Sequence, residues 1–191
     1  MKHIYTILLM VIALLTSCEE GDKYSVVVDT DDLICYVEYT TDSEILYIRD
    51  DAFDANIIAH KWHDGVGRIY FDKPIKKIGY EAFSDYSSLT SINIPDSVTS
   101  IGGSAFYNCD SLTSIDIPDS VTSIGTAVFC YCRSLTSVYC RATTPPQLGS
   151  IVFTFNATGR KIYVPRNSVN AYKSDSRWKD YAAYIVGYDF E

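Results

Sequence analysis

The sequence predicts a β-rich α/β solenoid with coils of about 23 residues, and three observations predict it. Ile78-Gly79-Tyr80-Glu81-Ala82-Phe83 returns as Ile101-Gly102-Gly103-Ser104-Ala105-Phe106 and again as Ile124-Gly125-Thr126-Ala127-Val128-Phe129, each 23 residues on. Leu89-Thr90-Ser91-Ile92-Asn93-Ile94-Pro95 returns in the same register over residues 112–118 and, degenerating, over 135–141. Inside each unit, apolar and polar residues alternate for one short strand before a turn. A fixed period in the twenties is the pattern of a solenoid, whose repeats bury their apolar faces only against their neighbours. Solenoids mostly present surfaces for binding.

The amino end reads as an export segment. Lys2 and His3 precede an apolar run from Ile4 to Leu15 that is too short to span a bilayer. The run ends in Leu15-Thr16-Ser17-Cys18, which resembles the bacterial lipoprotein box. That resemblance implies removal of residues 1–17 and lipidation of Cys18, whose several acyl chains hold a protein to a membrane where one does not. Glu19-Glu20-Gly21-Asp22 resembles the acidic stretch that directs lipoproteins of the Bacteroides group to the outer face of the outer membrane; the plainer reading is a solvated linker. Residues 18–31 are assigned to this acylated, acidic linker. Without residues 1–17 the formal charge moves from −8 to −9. This balance disfavours nucleic acid, whose binding needs Lys and Arg to displace counterions.

Residues 32–66 are expected to form an amino-terminal β cap. Cys35-Tyr36-Val37-Glu38-Tyr39-Thr40 and Glu44-Ile45-Leu46-Tyr47-Ile48 flank Thr41-Asp42-Ser43, a hairpin signal. The repeats are placed at 67–164, with Gly67-Arg68-Ile69-Tyr70-Phe71 as an eroded first strand and Ile162-Tyr163-Val164-Pro165 as a last one. In the coil from Ile78 to Ser100, Leu89, Ile92 and Ile94 point inward while Ser91 and Asn93 alternate outward. Pro95-Asp96-Ser97 ends the strand, because proline lacks a ladder donor and Asp and Ser favour turns. Val98 and Ile101 re-enter the core, and Gly102 relieves the backbone at a tight corner. Ala105 and Phe106 are read as a short helical turn carrying the large core aromatic. Residues 165–191 are the carboxy-terminal cap: a helix from Ser168 through Tyr172, then Trp178, Tyr181, Ala182 and Ile185 at helical spacing.

The cysteines and polar clusters give little chemistry. Cys109 and Cys132 are 23 apart and so adjacent across the ladder, which makes them the candidate disulfide pair against the alternative of stacked buried thiols. Cys140 takes the inward phase of Ile94 and Ile117 and packs as a small hydrophobe. No G-x-S-x-G elbow or phosphate loop is present, so no catalytic residue, cofactor or metal is assigned. His60-Lys61-Trp62-His63-Asp64 offers two His that could share a helical face with Asp64 as a third metal ligand, against the plainer reading of Asp64-Gly65 as a turn with the His facing solvent. Asp50, Asp51 and Asp54 are three acids without the spacing of a known calcium loop.

The run I-G-x-x-A-F-x-x-C-x-S-L-T-S-I-x-I-P-x-S-V-T-S resembles the BspA-like, or Treponema-type, leucine-rich repeat, specifically over residues 78–144. The resemblance implies a right-handed superhelix whose strands line one face, and a role in attachment to host proteins. Asp96-Ser97-Val98, Asp110-Ser111-Leu112 and Asp119-Ser120-Val121 also resemble the Asp-Ser/Thr-aliphatic acceptor of O-glycosylation in Bacteroides-type bacteria, although turn chemistry alone produces the same triplet. The alignment of repeats places Tyr70, Asn93, Asp116 and Tyr139 in one outward row, flanked by Arg68, Ser91, Ser114 and Ser137. This row is the expected ligand-binding face. The expected function is therefore a surface-anchored, non-catalytic, adhesin-like lipoprotein recognising host protein or glycan. The alternatives are a structural envelope protein docking another membrane component and an accessory of polysaccharide uptake.

Overall fold

A computed structural model describes residues 35–42, 47–49 and 51–190. The expected export segment, Cys18 and the acidic linker lie outside the described residues. The chain enters through β1 (Tyr36–Thr41), β2 (Ile57–His63) and β3 (Val66–Phe71). Each repeat then supplies two strands. A two-residue strand carries the Ile-Gly corner: β4 (Lys77–Ile78), β6 (Ser100–Ile101), β8 (Ser123–Ile124) and β10 (Gln147–Leu148). A longer one carries the alternating run: β5 (Leu89–Asn93), β7 (Ser114–Ile117), β9 (Ser137–Cys140) and β11 (Lys161–Pro165). A 3-10 turn (Arg166–Ser168), helix α1 (Val169–Ser174), a second 3-10 segment (Lys179–Tyr184) and β12 (Ile185–Tyr188) complete the chain. Among the described residues no helix is long and apolar enough to cross a membrane.

Among the described residues three four-stranded sheets result, ordered β2-β3-β1-β5, β10-β8-β6-β4 and β12-β11-β9-β7. The second and third are parallel, and residues 23 apart lie side by side, as in Ser100↔Ser123 and Ile115↔Val138. Inward positions stack into apolar ladders, with Ile78, Ile101 and Ile124 in one and Leu89, Leu112 and Leu135 in another, all at most 1% exposed. Phe83, Phe106, Phe129 and Phe153 form a column with centroids 5.4, 5.4 and 5.7 Å apart and planes within 3°, 3° and 4° of parallel. Backbone bonds run from coil to coil along it, from Phe83 N to Ala105 O at 2.7 Å and from Phe106 N to Val128 O at 3.0 Å.

Several expectations are corrected. The hairpin expected between residues 35–40 and 44–48 lies partly outside the described residues, and β1 takes other partners. Both edges of β1 are taken, by β3 and β5, and Tyr47 and Ile48 lie in no strand. The hairpin of this region is β2–β3, turned by Asp64 and Gly65 at φ 48° and 85°, the geometry an Asp-Gly pair favours. The boundary expected between residues 66 and 67 falls inside it. Ala105 and Phe106 belong to a turn, with Ser104 and Asn108 left-handed at φ 55° and 57°, and not to a helical turn. Past Pro146 the repeat resumes at Leu148-Gly149, one residue late, and Phe153 continues the aromatic column. Ile185 opens a strand parallel to β11 (Ile162↔Ile185), so the helical spacing expected through it is broken there.

Cys109 and Cys132 are free thiols. Each donates to a carbonyl one coil back, Cys109 Sγ to Phe83 O at 3.0 Å and Cys132 Sγ to Phe106 O at 3.1 Å. Asn156 continues the series, its side-chain amide reaching Phe129 O at 2.6 Å. The Cys109 and Cys132 thiols satisfy carbonyls that receive no backbone donor among the described residues. The neighbouring Cys132 thiol, and then burial, push the Cys109 thiol well up.

Cys140 packs inward as expected, fully buried, 3.2 Å from the Tyr172 hydroxyl, which donates to Ala142 O at 2.8 Å. Burial pushes its thiol from 9.0 up to about 11. Below the unfolded value the thiol is neutral in both states and stability is constant. Between pH 9 and about 11 only the unfolded chain ionises, so stability falls by up to about 3 kcal/mol. Urea unfolding across that range checks this, with Cys140→Val expected to remove that part of the alkaline loss.

Candidate ligand-binding face

The outward side of the long strands is a row in two segments that meet at β5 and β7, and not the row expected. Because β1 is inserted between β3 and β5, register runs Lys61↔Arg68↔Glu38↔Asn93. β5 lies next to β7, and the row continues as Asp116↔Tyr139↔Tyr163↔Val186. Tyr70 leaves the row. It pairs with Tyr36 and is only 5% exposed, packed against the Tyr36 ring at 5.7 Å with the Lys61 ammonium over it. It is therefore withdrawn as a ligand contact.

The remaining expected residues are at the surface in different degrees. Arg68 donates from Nε to Glu38 at 2.7 Å, and Ser91 shares a 2.6 Å hydrogen bond with Thr40. Asn93, Ser114 and Asp116 are exposed, while Ser137 and Tyr139 are half-buried. A groove of about 250 Å³ opens where three strands meet, lined by Asn93, Ile94, Asp96, Asp116, Pro118 and Arg141. Arg141 grips Asp116 with two nitrogens, Nε at 2.8 Å and Nη2 at 2.6 Å. Those bonds hold the Arg141 guanidinium above its ordinary value, with smaller pulls from Asp96 and Asp119. Exposed ion pairs add little stability, so the effect of this one is to fix two side chains in place.

Beside the groove, the expected Tyr139 is joined by aromatic residues that repeat alignment missed. Tyr139 and Tyr163 stack at 4.8 Å, and Tyr188 lies edge-to-face with both at 5.5 and 5.6 Å. Phe190 is 4.9 Å from Tyr188 and carries the Arg141 guanidinium at 5.3 Å. Tyr188 is 42% exposed. The signal available for it was the closing Val-Gly-Tyr-Asp-Phe run, which reads as a tail until β12 is seen beside β11.

Other candidates fall elsewhere. The Ser97 and Ser120 hydroxyls donate to Ile75 O and Val98 O at 2.8 and 2.7 Å, and so serve the coil junctions. Ser111 is half-buried, its N–H bonded to Ser87 O at 3.1 Å. His60 and His63 lie on a strand, where residues three apart face opposite ways; His60 contacts the Tyr39 hydroxyl at 2.7 Å and His63 lies 3.1 Å from Asp64. Asp54 accepts the N–H groups of Lys76 and Lys77, and Asp50 is outside the described residues. Among the described residues no group of three His, Cys, Asp or Glu is placed to hold a metal.

Parallel strands stacked over apolar ladders, with a polar and aromatic outer row, define a repeat scaffold for binding. A model of the BspA type leucine-rich repeat region matches residues 59–175 in 6 copies, and the chain belongs to this family. Proteins of this kind are in general non-catalytic scaffolds for protein interaction. The crystal structure of a leucine-rich repeat protein from Bacteroides ovatus is similar at 30% identity, over 56% of this chain and 28% of that one, with a TM-score of 0.39. The chain thus spans less than a third of that relative's length. Comparison with curated proteins found no match.

Proposed function

We propose that the protein is a lipid-anchored binding module displayed on the outer membrane, which engages an external protein or glycan through the strand face at its carboxy-terminal half. The observation that supports this reading is the half-exposed cluster of Tyr139, Tyr163 and Tyr188 beside a polar groove. Tyrosine and arginine dominate the energetics of recognition surfaces because they supply large area together with directed hydrogen bonds.

Two measurements test the two halves of the proposal. Protease added to intact cells, with a periplasmic protein as integrity control, is expected to digest the chain; protection would overturn surface display. Full-length protein carrying Tyr163→Ser and Tyr188→Ser is expected to lose at least about tenfold in affinity for ligands found on host-glycan and host-protein arrays. Unchanged binding with the fold intact would move the site off this face.

A further inference from the structure

We infer that the groove takes one neutral pyranose unit, with its hydroxyls on Asp116 and Arg141 and its apolar face against Tyr188; this rests on the strand face being the binding surface. The groove's charge argues first. Its one cation, Arg141, is held in a bidentate pair by Asp116, and Asp96 is the other charged residue of the lining. An anionic ligand must displace Asp116 from Arg141, whereas a neutral one can use the groove with that pair intact.

The hydrogen-bonding inventory argues second. Arg141 donates to Asp116 through Nε and Nη2, which leaves the Nη1 donors for a ligand. Asp116 has further lone pairs, Asp96 is an acceptor, and the Asn93 amide both donates and accepts. A set of donors and acceptors side by side suits adjacent hydroxyls, each of which does both. The planar Arg–carboxylate fork fixes this set before the ligand arrives.

Shape argues third. Tyr188 lies almost equally far from two rings that are themselves stacked, its plane steeply inclined to both, with Phe190 as a third neighbour. Tyr188 as a residue is 42% exposed, and Phe190 links its ring to the Arg141 side of the groove, so apolar aromatic surface stands open beside the polar lining. The lining is otherwise poor in apolar surface: Ile94 and Pro118 are buried, so no pocket awaits an anchoring peptide side chain. At about 250 Å³ the groove is smaller than the roughly 300–1,000 Å³ of pockets for drug-sized ligands, which matches a single sugar residue, free or terminal on a longer glycan.

Saturation-transfer NMR of the full chain with methyl glycosides of glucose, galactose, mannose, fucose and N-acetylglucosamine tests this. At least one is expected to receive saturation, with a dissociation constant on the order of 1 mM. Arg141→Lys, which keeps the charge but not the fork, and Tyr188→Ala are each expected to weaken it about tenfold or more, with thermal midpoints close to the parent's. Two results would overturn the inference: no transfer to any neutral glycoside, or transfer that both variants leave unchanged. Peptide-array binding without glycoside binding would sink the sugar assignment alone and leave the strand face standing as the site.

Discussion

Replacing Gly125 by alanine is expected to open the middle of the solenoid. A Cβ there would sit 2.5 Å from Gly103 N and 2.9 Å from Gly102 C, both backbone atoms of the preceding coil. The same holds along the column: at Gly102 the nearest atom is Gly79 C at 2.6 Å, and at Gly149 it is Gly125 C at 2.5 Å. None of these three needs a left-handed backbone; what each needs is the absence of a side chain. The close approach is what lets Gly125 N reach Ile101 O at 2.8 Å and Gly149 N reach Ile124 O at 2.8 Å. An added methyl must push two coils apart by most of an ångström, straining both junctions and lengthening those bonds. Overpacking and lost hydrogen bonds together are expected to cost about 3–5 kcal/mol, a large part of a domain's usual stability. Gly159 is the control, because it has φ +80° and nothing within 4 Å of a built Cβ. There alanine meets only the left-handed penalty, about 1–2 kcal/mol. Urea unfolding of both variants separates the two effects, and equal losses would refute the close-approach account.

Gly102 also shows what the sequence made legible and what it hid. Its recurrence marked a special backbone position, but the expected reason was a tight corner, and the actual reason is a neighbour that no single coil reveals: the glycine one repeat back. The ladders of Ile, Leu and Phe could be read directly, since an inward position recurs at the coil's own period. Left-handed residues could not. Glu81, Ser104, Ala127 and Ile151 hold equivalent positions at φ 54°, 55°, 57° and 52° without a glycine among them. The binding face was half legible for two physical reasons. Antiparallel β1 entered between β3 and β5, an edge choice that no periodicity encodes, and it put Glu38 where Tyr70 was expected. At the other end the period slipped from 23 to 24 between Phe129 and Phe153. Tyr163 therefore fell out of the alignment with Tyr139, and Tyr188, on a strand outside the repeats, had no aligned partner at all.

Trp178→Ala is expected to unravel the solenoid from its carboxy-terminal end. Phe153 is the last ring of the aromatic column, with no further coil beyond it to stack on. Trp178 takes that place, fully buried, with centroids 6.2 Å from Phe153 and 5.0 Å from Tyr172, and Tyr181 meets Phe153 edge-on at 5.2 Å. Its indole N–H donates to Pro146 O at 2.8 Å, so the same residue packs the last coil and satisfies the carbonyl where the repeat was interrupted. Truncation to alanine is expected to cost about 3–5 kcal/mol. Trp178→Phe keeps most of the apolar contact but leaves the Pro146 carbonyl without its donor, and about 1–3 kcal/mol is expected for that alone. The order of loss carries the argument further. In a stacked array each coil is stabilised by its neighbours, so damage at one end spreads from that end. Hydrogen exchange of the alanine variant should show the coil at residues 147–164 losing protection before the coil at 78–100. Uniform loss of protection would mean that the chain unfolds as one unit, and that Trp178 stabilises the whole array and not its last coil.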